Sequence, residues 1–204
     1  MSLNNSDVLV AYARIRDTDT REPVFPKERN DEILACKSDK TRTEKHSVWK
    51  LLKKVVESHL MLKFDNLQFT KTANGKWICP DFHFSLSHTD GLVCVAVSGA
   101  PVGVDAQIVR PIRYGLKERV LTPDEISRFD NLPDGEKGEF LLTSWVKKES
   151  IFKRFGTEAF IPSRIEADGY YTVTRRISLG TDEYLVATSC EENNTIEFKF
   201  MEEI

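Results

Sequence analysis

The sequence predicts an α+β protein in which each half of the chain is a helix packed on strands, and three observations carry that expectation. Val48, Leu51, Leu52, Val55, Val56 and Leu60 recur at helical spacing within Thr43 to Leu62. Phe82, Phe84, Leu86 and His88 share one parity before the turn signal Thr89-Asp90-Gly91, and an apolar run from Val93 to Ser98 follows it. In the second half a long helical pattern ends near Phe155-Gly156 and gives way to short strand-like segments.

The elements follow in order. Asp7 to Arg14 reads as a strand, and a charge-rich stretch with Pro23 and Pro26 reads as a loop. The helix over Thr43 to Leu62 comes next, with a basic segment from Arg42 to Leu52. The two arms around Thr89-Asp90-Gly91 form a hairpin, and the continuous apolar run of its second arm fits a strand buried on both faces. Val102 to Val109 alternates Val102, Val104, Ala106 and Ile108 with Gly103, Asp105 and Gln107, the period of a strand. A helix is expected at Pro123 to Phe129, then the long helix, then strands at Tyr170 to Ile177, Tyr184 to Ser189 and Thr195 to Phe200. The chain divides into residues 1–100 and residues 101–204. The halves share no clear sequence identity, and low-complexity sequence is absent.

Composition excludes several classes. With 204 residues, 40% hydrophobic and 30% charged, the chain reads as globular rather than disordered. The longest apolar stretch, Leu92 to Val97, is far shorter than the ~20 residues of a spanning helix. Met1-Ser2-Leu3-Asn4-Asn5 lacks the basic and apolar regions of a signal peptide, so a cytoplasmic location is expected. Cys36, Cys79, Cys94 and Cys190 lie far apart and are read as reduced structural thiols. A net charge of -3 argues against a broad basic nucleic-acid surface.

The chemistry concentrates in two segments. Strand alternation puts Asp105 and Gln107 on one face. In the long helix Leu142, Trp145, Phe152 and the aliphatic part of Lys148 set a stripe. Glu149 falls inside it, four residues after Trp145 and three before Phe152. A carboxylate on a core face must neutralise, pair with a cation such as Lys153 at i+4, or bind a metal. Magnesium takes one or two protein carboxylates together with substrate phosphates, a demand that Asp105 and Glu149 could meet.

The run Gly103-Val104-Asp105-Ala106-Gln107, followed by Trp145-Val146-Lys147-Lys148-Glu149-Ser150 and Lys153, resembles the signature of the 4'-phosphopantetheinyl transferases. More narrowly it is similar to their larger, pseudo-dimeric type, which activates peptide and polyketide synthetases. Gly75-Lys76, Phe84-Ser85-Leu86-Ser87-His88 and the basic segment at Arg42 stand in that family's order, so the resemblance covers roughly Lys37 to Lys153. It implies two similar α+β halves related by a pseudo-two-fold, with the active site in the cleft between them. It further implies a monomer that moves the phosphopantetheine arm of coenzyme A to a serine of an apo acyl or peptidyl carrier protein, with magnesium, releasing 3',5'-ADP.

The same resemblance assigns residues. Asp105, Gln107 and Glu149 are the expected metal ligands. Glu149, Lys153 and Asp105 are the expected catalytic group, with Glu149 as ligand, base or both. Arg42, Lys45, Lys76, Ser87, His88 and Lys153 are expected to contact coenzyme A, with Lys37 a weaker candidate, and His88, Arg42 and Lys45 meeting its 3'-phosphate. Many relatives carry an acid where this chain has Gln107, and Trp77 replaces a proline often found after the glycine-lysine step. Pro111 to Leu121 and Pro123 to Phe129 lie where carrier docking is expected, although Ile112, Tyr114, Leu116, Ile126 and Phe129 read equally as core. Two rival readings use the same residues: a non-catalytic coenzyme A or carrier-protein binding module, and a metal-dependent phosphohydrolase.

Overall fold

The computed structural model describes residues 7–15, 20–111, 114–156 and 159–202. In chain order the elements are β1 (Asp7–Arg14), α1 (Lys27–Leu34), α2 (Asp39–Val55), β2 (Thr70–Lys71), β3 (Trp77–Ile78), β4 (His83–Thr89), β5 (Leu92–Ser98) and β6 (Gly103–Ile108). They continue as α3 (Lys117–Val120), α4 (Pro123–Asp130), α5 (Asp134–Phe155), β7 (Thr172–Leu179), β8 (Asp182–Ser189) and β9 (Thr195–Phe200). The protein is α+β, as the patterning implied. Met1 to Asn5 lie outside the described residues.

Local signals explain most boundaries. Ser38 caps α2 by accepting from Thr41 N, and Lys53 and Lys54 sit in its last turn. The helix starts before the expected Thr43 and passes into a π turn over Val56–Leu60, so the apolar spacing ran through two kinds of turn. Thr122 and Glu125 form a reciprocal capping box at α4, with Pro123 in the first turn. Asp90-Gly91 closes the β4–β5 hairpin, with Gly91 at φ +80. Gly156, at φ +65, ends α5.

Two sheets carry the core. The first has the order β4-β5-β1-β9, and the second β6-β8-β7. Leu9, Ala11, Ala13, Val93, Val95 and Val97 face α2. Val8, Val10, Cys94 and Ala96, on the opposite face, meet Val104, Ala106, Tyr184 and Val186 of the second sheet. Leu185 and Ala187 then meet Leu142 and Val146 of α5. The layers therefore run helix, sheet, sheet, helix. All seven residues of β5 are buried, as expected for an arm covered on both faces.

One expectation needs correction. The stretch read as a loop contains α1, which buries only Arg29 and Ile33, so one apolar contact left no helical period to read. β9, from residues 101–204, lies in the same sheet as strands from residues 1–100. That strand runs parallel to β1 and pairs Val8 with Ile196 and Val10 with Phe198 in the first sheet. The edge of β1 opposite β5 offered a free row of backbone groups, and the last strand fills it.

Candidate active site

Gly103 decides how close α5 lies to β6. A Cβ there would stand 1.9 Å from the Ser150 carbonyl oxygen and 2.5 Å from Arg154 N, so only glycine admits the helix backbone. Asp105 follows on the same face of the strand and is almost fully buried. Its Oδ1 accepts from Ser87 Oγ at 2.8 Å and Lys153 Nζ at 2.7 Å, while Gln107 Nε2 lies 3.3 Å from Oδ2. Lys153 Nζ also reaches Ser87 Oγ at 3.1 Å and Glu149 Oε1 at 3.4 Å. The i+4 ion pair and the cluster of two acids are thus one arrangement rather than alternatives.

The charges in this cluster bias one another. Burial and then the neighbouring Asp105 raise the Glu149 pKa, and Lys153 and a hydrogen bond from Trp145 only partly offset them. Burial pulls the Lys153 ammonium down, yet Asp105 and Glu149 outweigh it and hold the group above the ordinary lysine value. Ser85 and Ser87 join the sheet edges: Ser85 Oγ accepts from Val104 N and Ser87 Oγ from Ala106 N. These bonds satisfy two N–H groups on one edge of β6, whose other edge pairs with β8.

The cluster closes one end of a cleft of about 430 Å³, lined also by Arg29, Lys45, Trp77, His88 and Phe152. Its wall is cationic. Arg29 is buried beneath it, 3.0 Å from Glu32 and stacked over Trp49 at 4.9 Å. Glu32 gathers Arg29, Lys45, Lys71 and the Trp77 indole N–H. Burial alone would raise its pKa, but Arg29, Trp77 and Lys71 bring it to about 2. His88 Nδ1 lies 3.2 Å from Glu44 Oε2. Burial and the cations Lys153, Arg29 and Lys45 lower the His88 pKa to about 4, so its imidazole is neutral near pH 7.

Of the residues singled out from sequence, Lys45, Lys76, Ser87, His88, Asp105, Gln107, Glu149 and Lys153 all line this cleft. Arg42 is not among its lining residues. The guanidinium bonds Asp39 at 2.6 Å and the Cys36 carbonyl at 2.7 Å. Lys76 lines the cleft, but its ammonium is bonded to the carbonyls of Lys153 and Arg154. Lys148 does not line it: fully buried, it bonds Glu125 Oε2 at 2.5 Å and the Val120 carbonyl at 2.8 Å, tying α5 to α3 and α4. Arg29 and Glu32 were missed, since nothing in the α1 sequence marks one buried cation and its hub carboxylate. In the expected docking region Phe129 is core, Ile126 packs on it and Leu116 is exposed. Ile112 and the side chain of Tyr114 lie outside the described residues.

The donor set fits a hard divalent ion. Among the described residues no group of three or more His, Cys, Asp and Glu stands together for a metal. Magnesium needs only one or two carboxylates when a substrate supplies phosphate oxygens. Asp105 Oδ1 and Glu149 Oε1 both lie on the Lys153 ammonium, and the Gln107 amide stands at the other Asp105 oxygen. The four cysteines are unpaired, and burial raises the thiol pKa of Cys79, Cys94 and Cys190. No helix among the described residues is long and apolar enough to cross a membrane.

Comparison with known proteins gives the same direction. The family model of the 4'-phosphopantetheinyl transferase superfamily matches residues 101–187, which contain Asp105, Gln107, Glu149 and Lys153. The 4'-phosphopantetheinyl transferase psf-1 of Bacillus pumilus is 29% identical over 132 residues, 60% of this chain and 56% of the relative. The 4'-phosphopantetheinyl transferase ffp of Bacillus subtilis is 29% identical over 131 residues, 60% of this chain and 58% of the relative. The 4'-phosphopantetheinyl transferase Sfp of Bacillus subtilis (strain 168) is 26% identical over 131 residues, with the same shares. The matches span a little over half the length of these curated relatives.

Proposed function

We propose that this chain, related to the 4'-phosphopantetheinyl transferase superfamily through residues 101–187 and to the Sfp-like transferases, moves the phosphopantetheine arm of coenzyme A to a serine of an apo acyl or peptidyl carrier protein. On this reading the two helix-on-sheet layers are the similar halves of the pseudo-dimeric type, with the site in the cleft between them. The protein acts as a cytoplasmic monomer. The observation that carries the reading is the convergence of Asp105, Glu149 and Lys153 at one end of a cleft whose wall holds Arg29, Lys45 and His88.

Displacement at phosphorus depends mostly on positioning and on neutralising phosphate oxygens. A magnesium ion held by Asp105 and Glu149, with Gln107 beside it, would supply charge for the pyrophosphate. Lys153, kept protonated by its two acids, donates to the same oxygens and stabilises charge on the departing 3',5'-ADP. The Glu149 carboxylate, made more basic by burial and Asp105, is suited to accept the carrier serine proton. Lys45 and the neutral His88 imidazole grip the 3'-phosphate, and the buried Arg29 adds positive potential beneath them.

The reaction balances: the serine oxygen–phosphorus bond forms, the bond from that phosphorus to the bridging oxygen breaks, and the serine proton passes to Glu149 or solvent. The test is to incubate purified apo carrier with the protein, coenzyme A and magnesium. The carrier should gain the mass of the phosphopantetheine arm, with one 3',5'-ADP released per carrier. Release of 3',5'-ADP without a carrier would instead indicate a phosphohydrolase, and coenzyme A binding with no transfer a binding module.

A further inference from the structure

The β2–β3 hairpin is short and remote in sequence from α5, yet its tip ends on the last turn of that helix. The tip is a closed turn. Thr72 N donates to the Lys76 carbonyl at 2.8 Å, Gly75 N to the Thr72 carbonyl at 2.9 Å, and Lys76 N to Thr72 Oγ1 at 3.1 Å, with Gly75 at φ +82. From this turn Lys76 Nζ donates to the carbonyls of Lys153 at 2.6 Å and Arg154 at 3.0 Å. Asn74 Nδ2 donates to the Gly156 carbonyl at 2.9 Å.

A helix leaves its last four carbonyls without intrahelical donors. In α5, Gly156 N takes the Phe152 carbonyl at 2.8 Å, and the hairpin takes those of Lys153 and Arg154. A cation at this end also meets the negative pole of the helix dipole. Lys153 is therefore held from both ends. Its ammonium rests on Asp105 and Ser87, on strands β6 and β4, and its carbonyl rests on Lys76. Gly103 sets how close the helix comes to β6, but these donors to its last carbonyls come from the hairpin.

We propose that Lys76 and Asn74 are positioning residues: the hairpin tip clamps the last turn of α5 and thereby keeps the Lys153 ammonium on Asp105 and Glu149. The kinetic consequence rests on the transferase reading; the clamp itself does not. A role for Lys76 in gripping the nucleotide makes the opposite expectation, because its loss would then weaken coenzyme A binding.

The test compares the unsubstituted protein with Lys76→Met, Lys76→Arg and Asn74→Ala by three readouts. These are amide hydrogen exchange over residues 150–156, the coenzyme A dissociation constant measured calorimetrically without a carrier, and kcat and KM for transfer. Lys76→Met should raise exchange in the last turn of α5 by about tenfold or more. It should leave the dissociation constant within about twofold and lower kcat roughly 10- to 100-fold, the scale of an ångström-size misplacement. Lys76→Arg, with donors able to reach the same carbonyls, should recover most of the rate. Unchanged exchange, or coenzyme affinity falling in step with the rate, would overturn the clamp. If Lys76→Met does not fold, Asn74→Ala, which removes one of the three bonds, carries the same readouts. A wild-type protein that transfers nothing would defeat the transferase reading, and the exchange result would still decide the clamp.

Discussion

The two ends of the cleft are built differently. At the acidic end, Asp105, Glu149 and Lys153 come from one strand and one helix, held together by a glycine contact and a buried serine. At the cationic end, Arg29, Lys45 and His88 come from α1, α2 and β4, and two carboxylates, Glu32 and Glu44, hold them in place. The first end is a matter of close packing, where a fraction of an ångström counts. The second is a matter of charge balance, where Arg29 and Lys45 share the Glu32 carboxylate behind them. Damage at the first should stop chemistry with binding kept, whereas damage at the second should weaken binding or shift pH dependence.

The largest effect is expected at the acidic end. Asp105→Asn and Glu149→Gln keep shape and remove charge, and each should lower the transfer rate on the order of 10³-fold. If both serve one shared charge cluster, the double variant should lose little more than either single one. Losses that multiply in a steady-state assay would break the idea of a shared centre.

Gly103→Ala comes next. Its added Cβ meets helix backbone rather than a flexible side chain, so α5 must move. Overpacking of this kind should cost about 3 kcal/mol and lower Tm by roughly 6–12 °C, read by thermal unfolding. An unchanged Tm would show that the helix–strand spacing is not held by this contact.

At the cationic end, Glu32→Gln strips the hub carboxylate from the buried Arg29 and from Lys45, Lys71 and Trp77. Coenzyme A affinity should fall by about tenfold as these groups lose register. The folded pKa of Glu32, about 2, lies below its ordinary 4.5, so its stabilisation is present above about pH 4.5 and is lost as pH falls toward 2. The Tm difference between wild type and variant should therefore shrink over that window.

His88 follows the same sign, although its deprotonated form is the neutral one. Its folded pKa, about 4, lies below the ordinary 6.5, so the unfolded chain takes up a proton first and stability falls as pH drops from about 6.5 to about 4. His88→Gln should flatten that part of the Tm profile. A profile identical to wild type would mean that the imidazole is not held neutral by the cations around it. The smallest effect is expected from Gln107→Glu, which adds a third acid beside Asp105. It should lower the magnesium concentration for half-maximal rate and change the saturating rate little. An unmoved midpoint would place Gln107 away from the ion.

Most of the acidic end was legible in the sequence because its order is local. Strand alternation puts Gly103, Asp105 and Gln107 on one face, and helical spacing puts Glu149 one turn from Lys153. Whether Glu149 paired with Lys153 or faced Asp105 was undecidable from spacing, since the structure does both. Of the three residues that the resemblance assigned to the 3'-phosphate, Lys45 and His88 line the cleft, whereas Arg42 is bonded to Asp39 and Cys36.

The sequence by itself determined the α+β class, the β4–β5 hairpin, β9 as a strand, the end of α5 and the acidic pair. Each rests on a period, a turn residue or a cap within a few residues of chain. Only the tertiary structure decided that β9 completes the first sheet, that α1 is a helix, that Lys148 belongs to Glu125 and that Lys76 reaches across to α5. Those outcomes depend on which distant backbone edge, carboxylate or helix end stands unsatisfied when the layers close. A buried polar group takes the partner that packing leaves within reach, and no spacing along the chain encodes that choice.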